Sequence, residues 1–593
     1  MKAMKTIYNV KTLCVVAMIA IAGTVQAQDD NLKREMTLER EYDPSVQDAN
    51  KVNTLPVVKQ PEIKKTAIDY ATQTVPTDPE KEISILPSGK IMTDIVYNKK
   101  RGYFNVGAGT YTNINGDLGY HILNTHKDQL NLFFSHRSSG GKREYLQVDN
   151  VKQKVHLNDN LGGINFLHNF DKASMKLGAR YGYSAFNYFG YNEVFDTHTT
   201  KYPFLLDTKQ VNQQISLNAG VESHEGAALG YLLDFDYTNF SHKYGLSEDV
   251  DGIKENTIGV KAGMSAPFGG NQLIGVLGKL EYLNYSVPSV PTYYDKELEP
   301  EFENHAEVTL SPYYKAEGDI WNIKLGANVM IITGENDKIF ASPNIAADIK
   351  VADKTLLYLN ADGKIQSNSA FELSQRNRYV NPWTDVQPSR TWLDGIVGLK
   401  SGVAPGFWFD IFAGYKATDN DVLFVQDLAP NLLNYSSSEY YNTKLFFAGA
   451  AVKYSYQSLF EFSLKGVFNN WDVKTINDNS SYEPEAYGRP KAEITSTIDI
   501  RPIDKLTISA KYYLASGRKS YFITDEIRIP VSGNRTTLDL DNINELNVTG
   551  LYNITSNVGV YGQLNNLLFQ KYDLLYGYPA QGFNAMVGVN INF

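Results

Sequence analysis

The sequence predicts an all-β protein, a transmembrane antiparallel β-barrel of about 22 strands with an extended N-terminal periplasmic arm. Three observations carry that reading. From about residue 102 onward, apolar and polar side chains alternate with a period of two through stretches rich in Tyr, Phe, Val, Leu, Thr and Gly. These stretches come in pairs across very short polar turns, whereas the pairs themselves are joined by long polar connections such as 188–208, 367–390, 419–440 and 516–540. The chain also opens on an export signal and closes on an aromatic residue, Phe593.

Taking the elements in order, Lys2, Lys5 and Lys11 precede the apolar run Leu13 to Ala22, and Val25-Gln26-Ala27 supplies small residues for a signal peptidase. Residues 1–27 are therefore read as a signal peptide. Removing its three lysines takes the formal net charge from −10 to −13. An acidic chain is a poor partner for phosphate, so nucleic acid is excluded as a ligand. A mean hydropathy of −0.33, with no run of 18 apolar residues past residue 27, excludes a bundle of transmembrane helices. The only cysteine, Cys14, lies inside the signal, so the mature chain has no disulfide, Cys-ligated metal or thiol nucleophile.

Residues 28–101 read as an extended periplasmic segment. Its first part, 28–88, holds six prolines and no glycine, with too little apolar surface for a core of its own. Leu55-Pro56-Val57-Val58 and Ile83-Ser84-Ile85-Leu86 are candidate partner-binding strands, with Leu55, Pro56, Val57, Val58, Ile83, Ile85 and Leu86 as the contact residues.

Residues 102–593 read as the outer-membrane barrel. The predicted hairpins are 117–125 with 128–138, 157–170 with 174–187, 209–223 with 227–241, 255–266 with 271–285, and 303–315 with 320–333. They continue as 339–351 with 355–366, 391–403 with 407–418, 441–454 with 458–471, 490–501 with 505–515, and 543–553 with 557–568. A first strand at 102–113 and a last at 583–593 bring the count to 22. In the last strand Ala585, Val587, Val589 and Ile591 share one face and Asn584, Asn590 and Asn592 the other, which suits hydrocarbon on one side and a wet lumen on the other. Aromatic residues near strand ends (Phe170, Tyr188, Phe268, Tyr285, Trp321, Phe340, Trp408, Tyr456, Phe460 and Trp471) predict two interfacial girdles. Phe593, Ile591 and Gly588 form the expected terminal insertion signal read by the barrel assembly machinery, although Met586 stands where such a pattern has a polar residue.

The stretch Asn565-Asn566-Leu567-Leu568-Phe569-Gln570-Lys571-Tyr572, followed by Gly577-Tyr578-Pro579 and the terminal strand, resembles the closing segment of TonB-dependent receptor barrels. The resemblance implies 22 strands, solute uptake across the outer membrane of a Gram-negative bacterium, and a TonB-type coupling partner, for which Arg34-Glu35-Met36-Thr37-Leu38 is the nearest candidate box. It also implies a compact glycine-containing plug. The 61 residues of 28–88 are too few and lack glycine, so a standard plug is not expected. An unfilled barrel of this girth is an open hole, and the arm, inward-folded loops or another protein must narrow it.

No Gly-x-Ser-x-Gly, Walker-type, Gly-x-Gly-x-x-Gly or His-Glu-x-x-His motif is present, and the nine histidines form no evident site. Glu248 to Gly252 and Asp539 to Asn542 space oxygen ligands as calcium loops do, but acidic outer loops carry such groups for solubility alone. No catalytic, cofactor or metal residue is assigned, and the expected mechanism is binding and passage of a solute, not bond-breaking. The alternative is a barrel subunit or docking scaffold of a multi-protein outer-membrane complex, its arm holding a periplasmic partner. Membrane lipid is a partner in either case.

Overall fold

A computed structural model describes residues 100–190, 209–224, 226–245, 250–288, 302–334, 338–426, 435–476, 483–524 and 534–593. The signal peptide, the candidate TonB box, and the arm segments at Leu55–Val58 and Ile83–Leu86 lie outside these residues, as do Glu248 and Asp249.

The strands form one sheet of 25 segments. Lys338–Pro343 and Ile345–Ala352 both pair with Trp321–Ile332 and make one stave interrupted at Asn344. Lys519–Thr524 and Asn534–Asp539 form a hairpin outside the ring, because Leu506–Ser516 pairs directly with Ile543–Asn553. What remains is a closed antiparallel barrel of 22 strands, as the alternation predicts. Closure is made by Gly102–Gly109, which pairs with Ile114–Asn124 on one side and with the last strand, Asn584–Asn592, on the other.

Among the described residues, closure leaves no stave of the ring with a free edge, the condition under which backbone polar groups in hydrocarbon find partners. The outward face is apolar: Leu233, Met264, Phe446, Phe468 and Val587 are all more than half exposed, which in a membrane means lipid-facing. Tight turns connect the strands at the end that also holds both barrel termini. One is Gly269-Gly270, with φ of +73° and +52°, values at which a β-carbon is strained. At the seam the ring of Tyr561 lies across two glycines, so a β-carbon on Gly588 would sit 2.3 Å from that ring and 2.5 Å from the Val106 carbonyl oxygen.

The aromatic expectation needs correction. Phe170, Phe268, Trp321 and Tyr456 are exposed at the short-turn end, as a girdle requires. Tyr188, Tyr285 and Phe340, at the other end, are buried, and there the rings are used to pack the interior instead of meeting lipid headgroups. The predicted first strand is also shorter than read. It stops at Gly109, and Thr110–Thr112 makes a tight turn with Tyr111 and Thr112 in the left-handed region.

Candidate functional site

The lumen is crossed at its long-loop end by the segment 367–388, which joins Thr355–Gln366 to Ser389–Ala404. Ser367 and Asn368 turn the chain inward, Asn368 with φ +48° and no exposed surface. The Asn368 amide donates to the Gln387 carbonyl at 2.8 Å and to Ser389 Oγ at 2.6 Å, closing the base of the loop. A helix follows, Ala370–Arg376. Ser369 Oγ accepts from the Glu372 N–H at 3.2 Å, and Glu372 Oε2 accepts from the Asn368 N–H at 3.0 Å, a capping pair offset by one residue.

The wall completes the cap. Glu255, on the strand Lys254–Pro267, accepts from the Ala370 N–H at 2.6 Å and the Phe371 N–H at 3.4 Å. Those are orphan donors of a helix start, and the positive helix end suits a carboxylate. Beside it Ser367 Oγ donates to Glu307 at 2.9 Å and Glu281 at 3.4 Å, while Ser374 Oγ meets His242 Nε2 at 3.3 Å.

Beyond the helix the loop reaches far staves. Arg378 makes a two-pronged contact with Asp159, Nη1–Oδ1 3.2 Å and Nη2–Oδ2 2.8 Å. Tyr379 stacks on Tyr578 at 4.8 Å between centroids and meets Phe189 edge-on at 5.0 Å and Phe186 at 5.9 Å. The Asn381 N–H donates to the Ser436 carbonyl and the Ser436 N–H to the Tyr379 carbonyl, at 2.7 and 2.8 Å, a two-residue bridge that sews the loop to the strand Ser436–Tyr456. Tyr440 hydroxyl donates to the Asp385 carbonyl at 2.9 Å and accepts from the Gln387 N–H at 3.0 Å. Leu373, Val380, Trp383 and Val386 are buried in one apolar cluster with Phe186, Tyr188, Phe240, Ile253, Leu283 and Tyr285 of the surrounding wall.

A second inward segment supports the first. Asn566, at φ +52°, accepts from the Gln570 N–H at 2.9 Å and donates to the Gln570 carbonyl at 2.8 Å, folding 566–570 into a turn. Buried Arg518 donates to the Asp573 carbonyl at 2.9 Å, Gln147 donates to the Asp573 carboxylate at 2.6 Å, and burial holds that carboxyl above its ordinary range. This arrangement presents the fully buried Tyr578 to Tyr379. The motif Gly577-Tyr578-Pro579, noticed for its resemblance, thus supplies a central ring of the interior.

Between the end of the loop and the wall it reaches lies a cavity of about 590 Å³, lined by Arg376, Arg378 and Tyr379 of the loop, by Asn160, Tyr183 and Gln214 of the wall, and by Tyr578. Amides, arginines and tyrosine rings on one surface can hold a polar solute by hydrogen bonds and stacking. Among the described residues no cluster of three or more His, Asp or Glu side chains is placed to hold a metal ion.

The terminal residues of the predicted insertion signal lie at the seam. The Phe593 carbonyl accepts from the Arg101 and Gly102 N–H groups at 2.6 and 2.8 Å, its ring stacks near Tyr120 at 6.1 Å, and Ile591 faces lipid. Gly588 is the thin spot on which Tyr561 rests. Tyr435 packs in the same cluster as the loop and Tyr440 ties it by hydrogen bonds, whereas Tyr441 packs apart from it, with Leu423, Val425, Tyr487 and Tyr521. In the sequence, 367–390 has the look of a long polar connection. Its signal was Ser369-x-x-Glu372, the spacing of a capping box inside an apparent loop.

The class these features define is a 22-stranded outer-membrane barrel with an inward-folded loop. No protein-family profile matches the sequence, and no curated protein matches it. Solved structures do match in fold. The siderophore receptor PirA from Acinetobacter baumannii aligns with a TM-score of 0.61 at 10% identity, covering 84% of this chain and 81% of that one. The ferripyoverdine receptor of the outer membrane of Pseudomonas aeruginosa aligns with 0.59 at 11%, covering 83% and 72%. The copper transporter OprC aligns with 0.57 at 12%, covering 83% and 80%. The fold is that of TonB-dependent receptor barrels.

Proposed function

We propose that this protein is an outer-membrane uptake receptor that admits a small polar solute or metal complex through its lumen, with the loop 367–388 as the narrowest element of the path. The observation that carries the reading is the loop itself, held across the barrel by polar contacts, by the ring contacts of Tyr379 and by a buried apolar cluster, beside a cavity lined by Arg376, Arg378, Tyr183 and Tyr379. A solute that recruits Arg378 or Tyr379 trades against contacts these residues make with the wall, so solute binding and loop position are linked. Barrels of the same fold serve siderophores and copper, which supports uptake over catalysis.

The test is accumulation of radiolabelled ferric chelates and of copper by cells carrying the full chain, an Arg378→Ala variant or no copy. Uptake that depends on the chain and changes with Arg378 supports the reading. Equal accumulation in all three overturns it. If, in addition, a periplasmic protein co-purifies only while residues 28–88 are present, the docking-scaffold alternative takes its place.

A further inference from the structure

Four carboxylates converge where the loop meets the wall. Glu255, Glu281 and Glu307 come from three adjacent staves, Lys254–Pro267, Gln272–Ser286 and His305–Glu317, and the helix adds Glu372. Glu281 and Glu307 both accept from Ser367, and Glu255 holds the helix start. The groups set against them are few. Lys279 pairs with Glu281 at 2.5 Å, and His305 Nε2 stands 3.4 Å from Glu307. Tyr285 lies buried on the same wall.

We propose that the loop 367–388 is a proton-controlled latch, docked across the lumen while Glu372 carries a proton and loosened when Glu372 ionises. The geometry favours such a choice, because docking carries a fourth acid beside three others, of which Glu255 and Glu307 are buried. Glu372 itself accepts a single N–H bond within the loop, from Asn368. Burial first, then the charges of Glu281 and Glu307, push its carboxyl from the ordinary 4.5 up to about 7.

The sign follows from linkage. An acid whose docked pKa lies above its free value binds more protons when docked, so docking is favoured at low pH and weakens as pH rises through the interval between the two values. The docking equilibrium then changes by up to about tenfold per pH unit between roughly 4.5 and 7 and is flat above.

The experiment uses the full-length protein in detergent with a nitroxide on Gln375→Cys, an exposed position on the helix. A spin label reports mobility without itself titrating. The expected result is an immobile spectrum at pH 5 that gains a mobile fraction by pH 8. Glu372→Gln, which keeps the acceptor for Asn368, is expected to stay immobile at every pH. Glu281→Gln is expected to reduce the mobile fraction at pH 8 by removing the leading opposing charge. Migration on unheated gels verifies that each barrel is closed. A wild-type spectrum unchanged from pH 5 to 8, or the same transition retained in Glu372→Gln, would overturn the latch. Neither outcome depends on whether a solute is transported.

Discussion

Replacing Tyr379 with alanine isolates the aromatic anchorage of the loop from its polar contacts. Tyr379 makes three ring contacts, to Tyr578 at 4.8 Å, Phe189 at 5.0 Å and Phe186 at 5.9 Å. At about 0.5–1.5 kcal/mol per pair, together with the truncation of a packed aromatic, the loss is roughly 3 kcal/mol. This cost falls on docking of the loop and not on the barrel, because strand pairing does not involve Tyr379. The loop-opening equilibrium should therefore rise by roughly a hundredfold. The assay is single-channel conductance of the purified protein in a planar bilayer, supported by limited proteolysis of 367–388. Wild-type protein should give rare brief openings, and Tyr379→Ala a much greater open fraction with the unheated gel mobility preserved. Identical open fractions and identical proteolysis would refute the idea that this stack holds the lumen loop in place.

Three further outcomes follow from the same geometry. Alanine at Arg378, at Asp159 and at both should show a coupling of about 1 kcal/mol, or roughly fivefold in loop opening, since the pair is two-pronged but about 30% exposed on each side; additive single effects would deny the contact. Asn368→Gly keeps the left-handed backbone but loses the amide bonds, whereas Asn368→Ala loses both, so proteolysis of the loop should be faster in the alanine variant by an amount worth about 1 kcal/mol. Gly588→Val drives a side chain into the Tyr561 ring and should lower the urea midpoint of the barrel by an amount worth about 2 kcal/mol or more, with Gly588→Ala intermediate. An unchanged midpoint would mean the seam repacks freely.

The strands were legible because their signal is local. The predicted hairpin 157–170 with 174–187 is Lys152–Asn169 with Ala173–Asn187 in the structure, and 543–553 was read to the residue. A side chain facing lipid and its neighbour facing water are dictated by solvent alone, without knowledge of distant residues. Reading failed where the alternation breaks. The stave Phe407–Gln426 was read as ending at 418 because a bulge at Asn420, φ +59°, shifts the register before the strand resumes. The loop 367–388 was illegible for a different reason. Its place is set by Asp159, Glu255, Ser436 and Tyr578, the farthest of them 219 positions from its loop partner, and no period in the loop records them.

Both ends of the segment 367–388 are rooted in neighbouring staves of the same wall. A separate cork can be expelled and must then be retrieved. A strap sewn at two points swings aside and stays within reach, so its effective concentration over its own seat remains high however often the passage opens. On the uptake reading proposed above, the strap returns to its seat as fast as a short tether relaxes, with no separate body to retrieve.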